Sequence, residues 1–270
     1  MSPSLFFHLV ALEAKKLMSY RVDFWVTMVV NLGVNLIILW ALWSAIFAES
    51  GAEIIGGWDF PGILSYGVLV FLTGRIVRGG DLQMAIATEI YDGALSRFLL
   101  YPRHYTFIKY AQQIGHVMPD LFQSILMGII AIPLLGLSTT ASVTPMTIAM
   151  AIPTIMVAHL LFFLMGLIPQ YVAFWADNVW SLSVMLRFVT MLLGGAMLPL
   201  SLYPDPVQNI LQNLPFVYLF EFPTFVLMGK VEPAQWITGI GTCLLWCIII
   251  GAMGIPVWRR GDLRYTGVGI

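Results

Sequence analysis

Read for hydropathy, the chain runs as long apolar stretches separated by short polar breaks. Six stretches are long enough to cross a bilayer, at about residues 25–47, 61–77, 117–137, 146–171, 182–203 and 236–258. A helix rises about 1.5 Å per residue and the hydrocarbon core is about 30 Å thick, so about 20 apolar residues make one crossing. None of the six alternates apolar with polar positions, which predicts helices and not the strands of a membrane barrel. The pattern is that of an all-α integral membrane protein with six transmembrane helices in one domain, residues 1–270.

Three segments between or before the spans carry further pattern. Residues 1–23 predict an amphipathic helix on the membrane surface, with Phe6, Leu9, Val10 and Leu17 toward lipid and His8 and Lys15 toward water. Its apolar arc is interrupted by Glu13 and Lys16. The first long apolar run starts too late, and is too long, for a cleavable signal. Residues 78–116 are the longest polar stretch. They predict a helix with Met84, Ala87 and Ile90 on one side, a stop at Gly93, and a second short helix ended by Pro102. Two readings stand for this segment: a surface helix resting on headgroups through Phe98, Leu99 and Leu100, or a docking element for a partner. Residues 204–233 are too apolar for a solvated loop and too rich in proline for a span. Runs 216–220 and 225–228 fit the short helices of a hairpin that dips into the outer leaflet and returns.

Charge sets the orientation. With six spans, one side holds Lys15, Lys16, Arg21, Arg75, Arg78, Arg97, Arg103, Lys109, Arg187, Arg259, Arg260 and Arg264, and the other holds Lys230 alone. Basic residues gather on the cytoplasmic side of membrane proteins, so both termini are expected there. Composition agrees with a bilayer-embedded chain: 59% of residues are hydrophobic and only 10% charged, where soluble domains carry about 25%. A net charge of -1 offers no field for nucleic acid. Cys243 and Cys247 stand four apart on one helical face, too few for a disulfide framework and without metal-site spacing.

Chemistry-bearing residues inside the membrane are few. Asp120 lies near His116 and Gln123 at the start of the third span, Arg187 can reach the interface from the fifth, and His159 sits near the centre of the fourth. Packing is the expected role of His159. Asn31 and Asn35 line one face of the first span, where interhelical hydrogen bonding comes first and substrate contact second. Enzyme readings fail on motifs. No His-Glu-x-x-His or Gly-x-Ser-x-Gly occurs, and Met228-Gly229-Lys230-Val231 lacks the first glycine and the hydroxyl residue of a phosphate-binding loop. The Asp92 to Arg97 run departs from the lipid-head phosphotransferase signature, with Thr106 where a glycine is needed. The stacked intramembrane charges of an ion-coupled carrier are also missing, and no inverted repeat is visible. The chain therefore carries no catalytic motif, no cofactor site and no metal site of its own. Any transport energy must come from another chain.

These features together resemble the permease subunit of type-2 ABC exporters, over essentially the whole length. The resemblance is carried by the basic amino-terminal helix, the run from Glu89 through Gly93 and Arg97 to Pro102, Gly194-Gly195 with Pro199 and Tyr203-Pro204, and the tail Trp258 to Tyr265. Within the tail, Asp262 is inserted before Leu263 and only Arg264 precedes Tyr265. The resemblance implies two six-span subunits, this chain with itself or with a related permease, and a separate ATP-binding cassette ATPase below each, which would hold ATP and magnesium. It implies ATPase coupling through Glu89, Ile90, Gly93, Leu95 and Arg97, and a gate in the re-entrant segment at Phe216, Tyr218 and Phe220. Asn31 and Asn35 join these as possible path residues. The implied cargo is amphipathic, lipid-like, drug-like or glycan, moved outward across a bacterial inner membrane. The competing reading is an ATP-independent scaffold or secondary carrier.

Overall fold

A computed structural model describes residues 3–18, 21–79, 84–101, 104–134 and 142–267. Eleven helices follow one another among these residues. They are α1 (Pro3–Met18), α2 (Arg21–Ser50), α3 (Phe60–Arg78), α4 (Ala85–Tyr91), α5 (Leu95–Leu99), α6 (Tyr105–Leu134), α7 (Pro145–Tyr171), α8 (Trp180–Leu193), α9 (Asp205–Leu211), α10 (Glu221–Leu227) and α11 (Pro233–Asp262). Among the described residues there is no strand, only one bridge between Ile55 and Trp58. Gly80, the Asp81 to Gln83 stretch, Pro102 and Arg103 lie outside the described residues, as do the side chains of Leu17 and Leu99.

The helix starts obey local chemistry. Asp59 Oδ1 accepts from the Gly62 N–H at 3.1 Å, with Pro61 in the first turn of α3. Thr144 and Thr147 form a reciprocal cap ahead of α7, and Glu232 and Gln235 do the same ahead of α11.

Five helices are long and apolar enough to cross a membrane: α2, α3, α6, α7 and α11. The α9–α10 pair, bent by 71°, is the sixth candidate. Two expected boundaries shift. The helix that carries the third span begins at Tyr105, ahead of the expected start at 117, so the last part of the 78–116 segment is helical. Helix α6 carries Lys109, Gln112 and Gln113, which a hydropathy window reads as loop, on a turn-by-turn extension of the same rod. The fifth span, expected over 182–203, is helical only as the 14 residues of α8, about 21 Å long.

Helix α8 stops for a steric reason. A Cβ on Gly194 would strike the backbone oxygen of Phe216 and the ring of Phe220, and Gly195 has φ +85°. The carbonyls freed at this break are taken up: Gly194 O by the Glu221 N–H at 3.0 Å and Gly195 O by the Tyr66 hydroxyl at 2.6 Å. The chain then turns back through short 3-10 turns at Leu200–Leu202 and Pro215–Tyr218.

The core gathers around α3, which packs against α2, α6, α7 and α10. Ile63, Tyr66, Leu69 and Val70 of α3 meet Leu161 and Phe162 of α7 and Leu219 and Phe220 before α10. Helix α11 lies along α7 and contributes Cys243, Cys247 and Ile250; both cysteines are buried thiols. Helix α2, by contrast, exposes Val26, Val30, Ile37, Ile38 and Trp40.

Helix α1 differs from the expected surface helix in which face is covered. Phe6 packs on Phe107 (5.4 Å between ring centres), and Gly115 of α6 lets Val10 and Glu13 come close. Glu13 accepts from Gln112 and pairs with His116 at 3.5 Å. Among the described side chains of α1, Phe7 and Leu12 are the large apolar ones left outside. The stripe Phe6, Val10, Glu13 follows helical spacing, and Glu13 belongs to it because α6 supplies polar partners. These contacts, with Trp258 stacked on Tyr105, place α1 and the end of α11 at the same end of the bundle as α4 and α5.

Candidate functional site

The segment α4–α5 is a short helical elbow. Gly93 has φ +69° and lies just after the last turn of α4, with Asp92 as the cap, the left-handed stop expected from its sequence. At the other end the Ile86 N–H donates to Gln170 Oε1 of α7 at 3.1 Å, which satisfies a backbone donor that a seven-residue helix leaves orphaned. Ile86, Ala87, Ile90 and Leu95 are buried against Tyr105, Leu167, Tyr171, Phe174 and Trp258. The Tyr91 hydroxyl donates to Ala176 O at 3.0 Å, and burial pushes its phenol pKa up. Ser96 and Tyr265 hydroxyls share a hydrogen bond of 3.2 Å, so the elbow also touches the tail beyond α11.

Electrostatics hold the elbow from inside. Lys109 Nζ of α6 lies 2.5 Å from Glu89 Oε1, and the Tyr105 hydroxyl donates to Oε2. The Lys109 side chain is only 4% exposed and Glu89 17%. Lys109 also stands 4.5 Å over the Phe98 ring.

The five residues expected to couple to an ATPase therefore divide. Ile90 and Leu95 face into the chain's own core, Glu89 is bound to Lys109 and Tyr105, and Gly93 makes the turn. Arg97 is exposed, beside the Phe98 ring at 5.6 Å. With Thr88 and Asp92 it forms the outward face of the elbow, and Leu100, 86% exposed, stands next to it. Of Tyr105, Lys109, Gln170 and Trp258, which position the elbow, the sequence singles out Lys109 only as one of the basic residues and Trp258 only as the start of the tail, because their partners are distant along the chain.

At the opposite end, α10 enters the bundle between α3 and α7. Phe220 is fully buried, 6.4 Å from the Phe162 ring, while Phe216 and Tyr218 are half-buried. The Thr224 and Thr73 hydroxyls lie 2.9 Å apart, and Glu221 Oε1 accepts from the Leu200 N–H at 3.1 Å. Lys230 Nζ stands 3.5 Å over the Trp58 ring, and Trp58 Nε1 donates to Ser201 Oγ. Burial lowers the Lys230 pKa and the charge of Asp59 opposes that shift. A groove of about 440 Å³ opens beside it, lined by Tyr218, Phe222, Phe225, Lys230, Gln235 and Thr238 among others. Of the expected gate residues Tyr218 lines this groove, while Phe216 packs half-buried against the core that holds Phe220.

Asn31 is exposed on α2 and Asn35 half-buried. Asp120 pairs with Arg75, which also donates to Gln123 Oε1 at 3.1 Å. His159 is buried with Nδ1 3.1 Å from Val77 O. Replacing His159 by Leu removes one hydrogen bond at the end of α3, and a cost of about 1 kcal/mol is expected. A thermal unfolding midpoint in detergent lowered by only a few degrees checks this; loss of the folded protein would contradict it.

Among the described residues no three His, Cys, Asp or Glu side chains gather as metal ligands. The geometry offers a fixed elbow at one end of the bundle and a buried hairpin at the other. The profile of the ABC-2 family transporter protein covers residues 31–269. Neither a curated protein nor a solved structure matches.

Proposed function

The chain belongs to the ABC-2 family of transporter membrane proteins, and from that premise we propose that it is the permease subunit of an ATP-driven exporter. ATP hydrolysis takes place on a separate ATP-binding cassette subunit, which docks on the outward face of α4–α5. One observation carries this reading: the elbow presents Thr88, Asp92 and Arg97 outward while its inner side is fixed to α6, α7 and the end of α11. A short helix held at several points cannot move alone. A push on its outer face passes through Glu89–Lys109 and Ile86–Gln170 into two spanning helices, which is what coupling to a partner's closure requires.

The permease pairs with a second copy or a related chain, a reading supported by the long apolar face left open on α2 and on α8. The 12 basic residues on one side support cytoplasmic termini in a bacterial inner membrane. The hairpin around α10 serves as the outer gate, and the cargo is amphipathic. Expressed with its genomic neighbours and solubilised, the chain is expected to bring down a stoichiometric ATPase. Arg97→Glu with Asp92→Arg should release that ATPase without unfolding the chain, because both side chains are exposed. A complex holding no nucleotide-hydrolysing subunit would instead favour a scaffold or secondary carrier.

A further inference from the structure

We infer that Arg78 and Arg187 form a binding site for the anionic head of an amphiphile, where α3, α7 and α8 meet below α10. As a statement about cargo this rests on the exporter reading above; as a statement about binding it does not.

The two arginines that end α3 behave differently. Arg75 turns to α6 and is neutralised by Asp120. Arg78 turns the other way: its Nε donates to Gly74 O at 3.1 Å and its Nη1 meets the Met191 sulfur at 3.4 Å. A thioether is a weak acceptor, so the guanidinium keeps strong donors unspent. Long cations near a span end ordinarily reach outward to water. Arg78 instead folds back one turn, toward the middle of the bundle. Its Nη2 comes 3.8 Å from where a Gly74 Cβ would stand, and the Phe220 ring comes within 3.5 Å of the same point.

Met191 stands one turn beyond Arg187 on α8, so its contact with Arg78 brings these two like charges to the same side of the bundle, with Asp120 the opposing charge near Arg78. Among the described residues neither Arg78 nor Arg187 has an ion pair. Arg78 is half-buried and Arg187 exposed, and an anion between two like charges relieves their repulsion. Ser183, one turn before Arg187, has a buried hydroxyl with no hydrogen-bond partner, and both line a crevice of about 20 Å³ with Phe162 and Gly166. Guanidinium forks with a free hydroxyl are the donor set of phosphate and carboxylate oxygens. The crevice admits about one water as it stands. The head must therefore enter as α8 shifts, and its chain lies along the apolar side chains around Phe162.

The test uses the full chain in phosphatidylcholine nanodiscs and three amphiphiles of one chain length: dodecyl phosphate, dodecylphosphocholine and dodecyltrimethylammonium. Dodecyl phosphate is expected to bind about tenfold more tightly than the other two, the worth of one charge-assisted hydrogen bond. Arg187→Gln, at an exposed position, should remove about that factor, and Arg187→Lys should keep most of it. Arg78→Gln should act like Arg187→Gln, with Arg78→Lys as the control that retains the charge. Equal binding of all three heads, or an unchanged preference in Arg187→Gln, overturns the inference. Inorganic phosphate that fully displaces dodecyl phosphate would assign the site to a soluble anion and overturn the amphiphile; failure to displace supports it. If the head preference is absent while the ATPase still copurifies, this inference fails alone. If the preference holds and no ATPase is found, the exporter reading fails alone.

Discussion

Glu89→Lys is expected to detach the α4–α5 elbow from the bundle. The substitution sets two ammonium groups against each other where Lys109 is 4% exposed, and it removes the acceptor of the Tyr105 hydroxyl. Breaking a buried pair in this way costs about 3–5 kcal/mol. The loss falls on one short segment at the end of the bundle, so it appears as local opening and not as global unfolding. Amide hydrogen exchange across 85–99 should accelerate by about 100-fold or more, and ATP hydrolysis should lose its dependence on transport. The charge-swapped pair Glu89→Lys with Lys109→Glu separates two roles. If Glu89 positions the elbow, the swap recovers much of the protection and of the coupling. If Glu89 touches the ATPase, protection returns and coupling does not. Unchanged exchange in the single variant would remove the pair from the coupling path.

Phe220→Ala is expected to be the most damaging change in the hairpin. Phe220 is fully buried between Phe162 and the glycines Gly74 and Gly194, so its removal leaves a cavity that those glycines cannot fill. A Phe-to-Ala truncation in a core costs about 3–5 kcal/mol. The unfolding midpoint in detergent should fall by roughly 10 °C for a chain of this size. Tyr218→Ala at the groove rim is the contrast: its ring contacts Phe222 at 5.6 Å and is only half-buried, and a fall of no more than about 2 °C is expected. Equal effects at the two positions would mean that α10 is not anchored through its first residues.

Local signals are legible in the amino-acid order alone. Gly93 stops α4 because only a residue without Cβ turns left-handed there at no cost, and the neighbouring residues alone set that need. The apolar runs mark the long helices for the same reason: insertion into hydrocarbon depends on the segment's own side chains. The start of α6 is not legible in this way. Lys109, Gln112 and Gln113 look like loop residues until Glu89, Glu13 and the Gly79 carbonyl are brought beside them, and those partners come from three other segments. Nor is the orientation of the elbow. Ile90 and Leu95 have the character of a docking surface and of a core equally, because both bury apolar area by the same physics. The break of α8 at Gly194 lies between these cases: the glycine pair is visible in the sequence, but its need becomes clear only with the Phe216 backbone against it.

The sequence by itself determined that this is a helical membrane protein and marked the five long stretches that become α2, α3, α6, α7 and α11. Each of these depends on composition and spacing within one stretch of chain. The tertiary structure alone decided that Glu89 faces Lys109, that Arg78 turns inward toward α8 while Arg75 finds Asp120, and that Phe220 plugs the bundle. A side chain's role there depends on which distant residue stands opposite it, and packing, not local propensity, makes that choice.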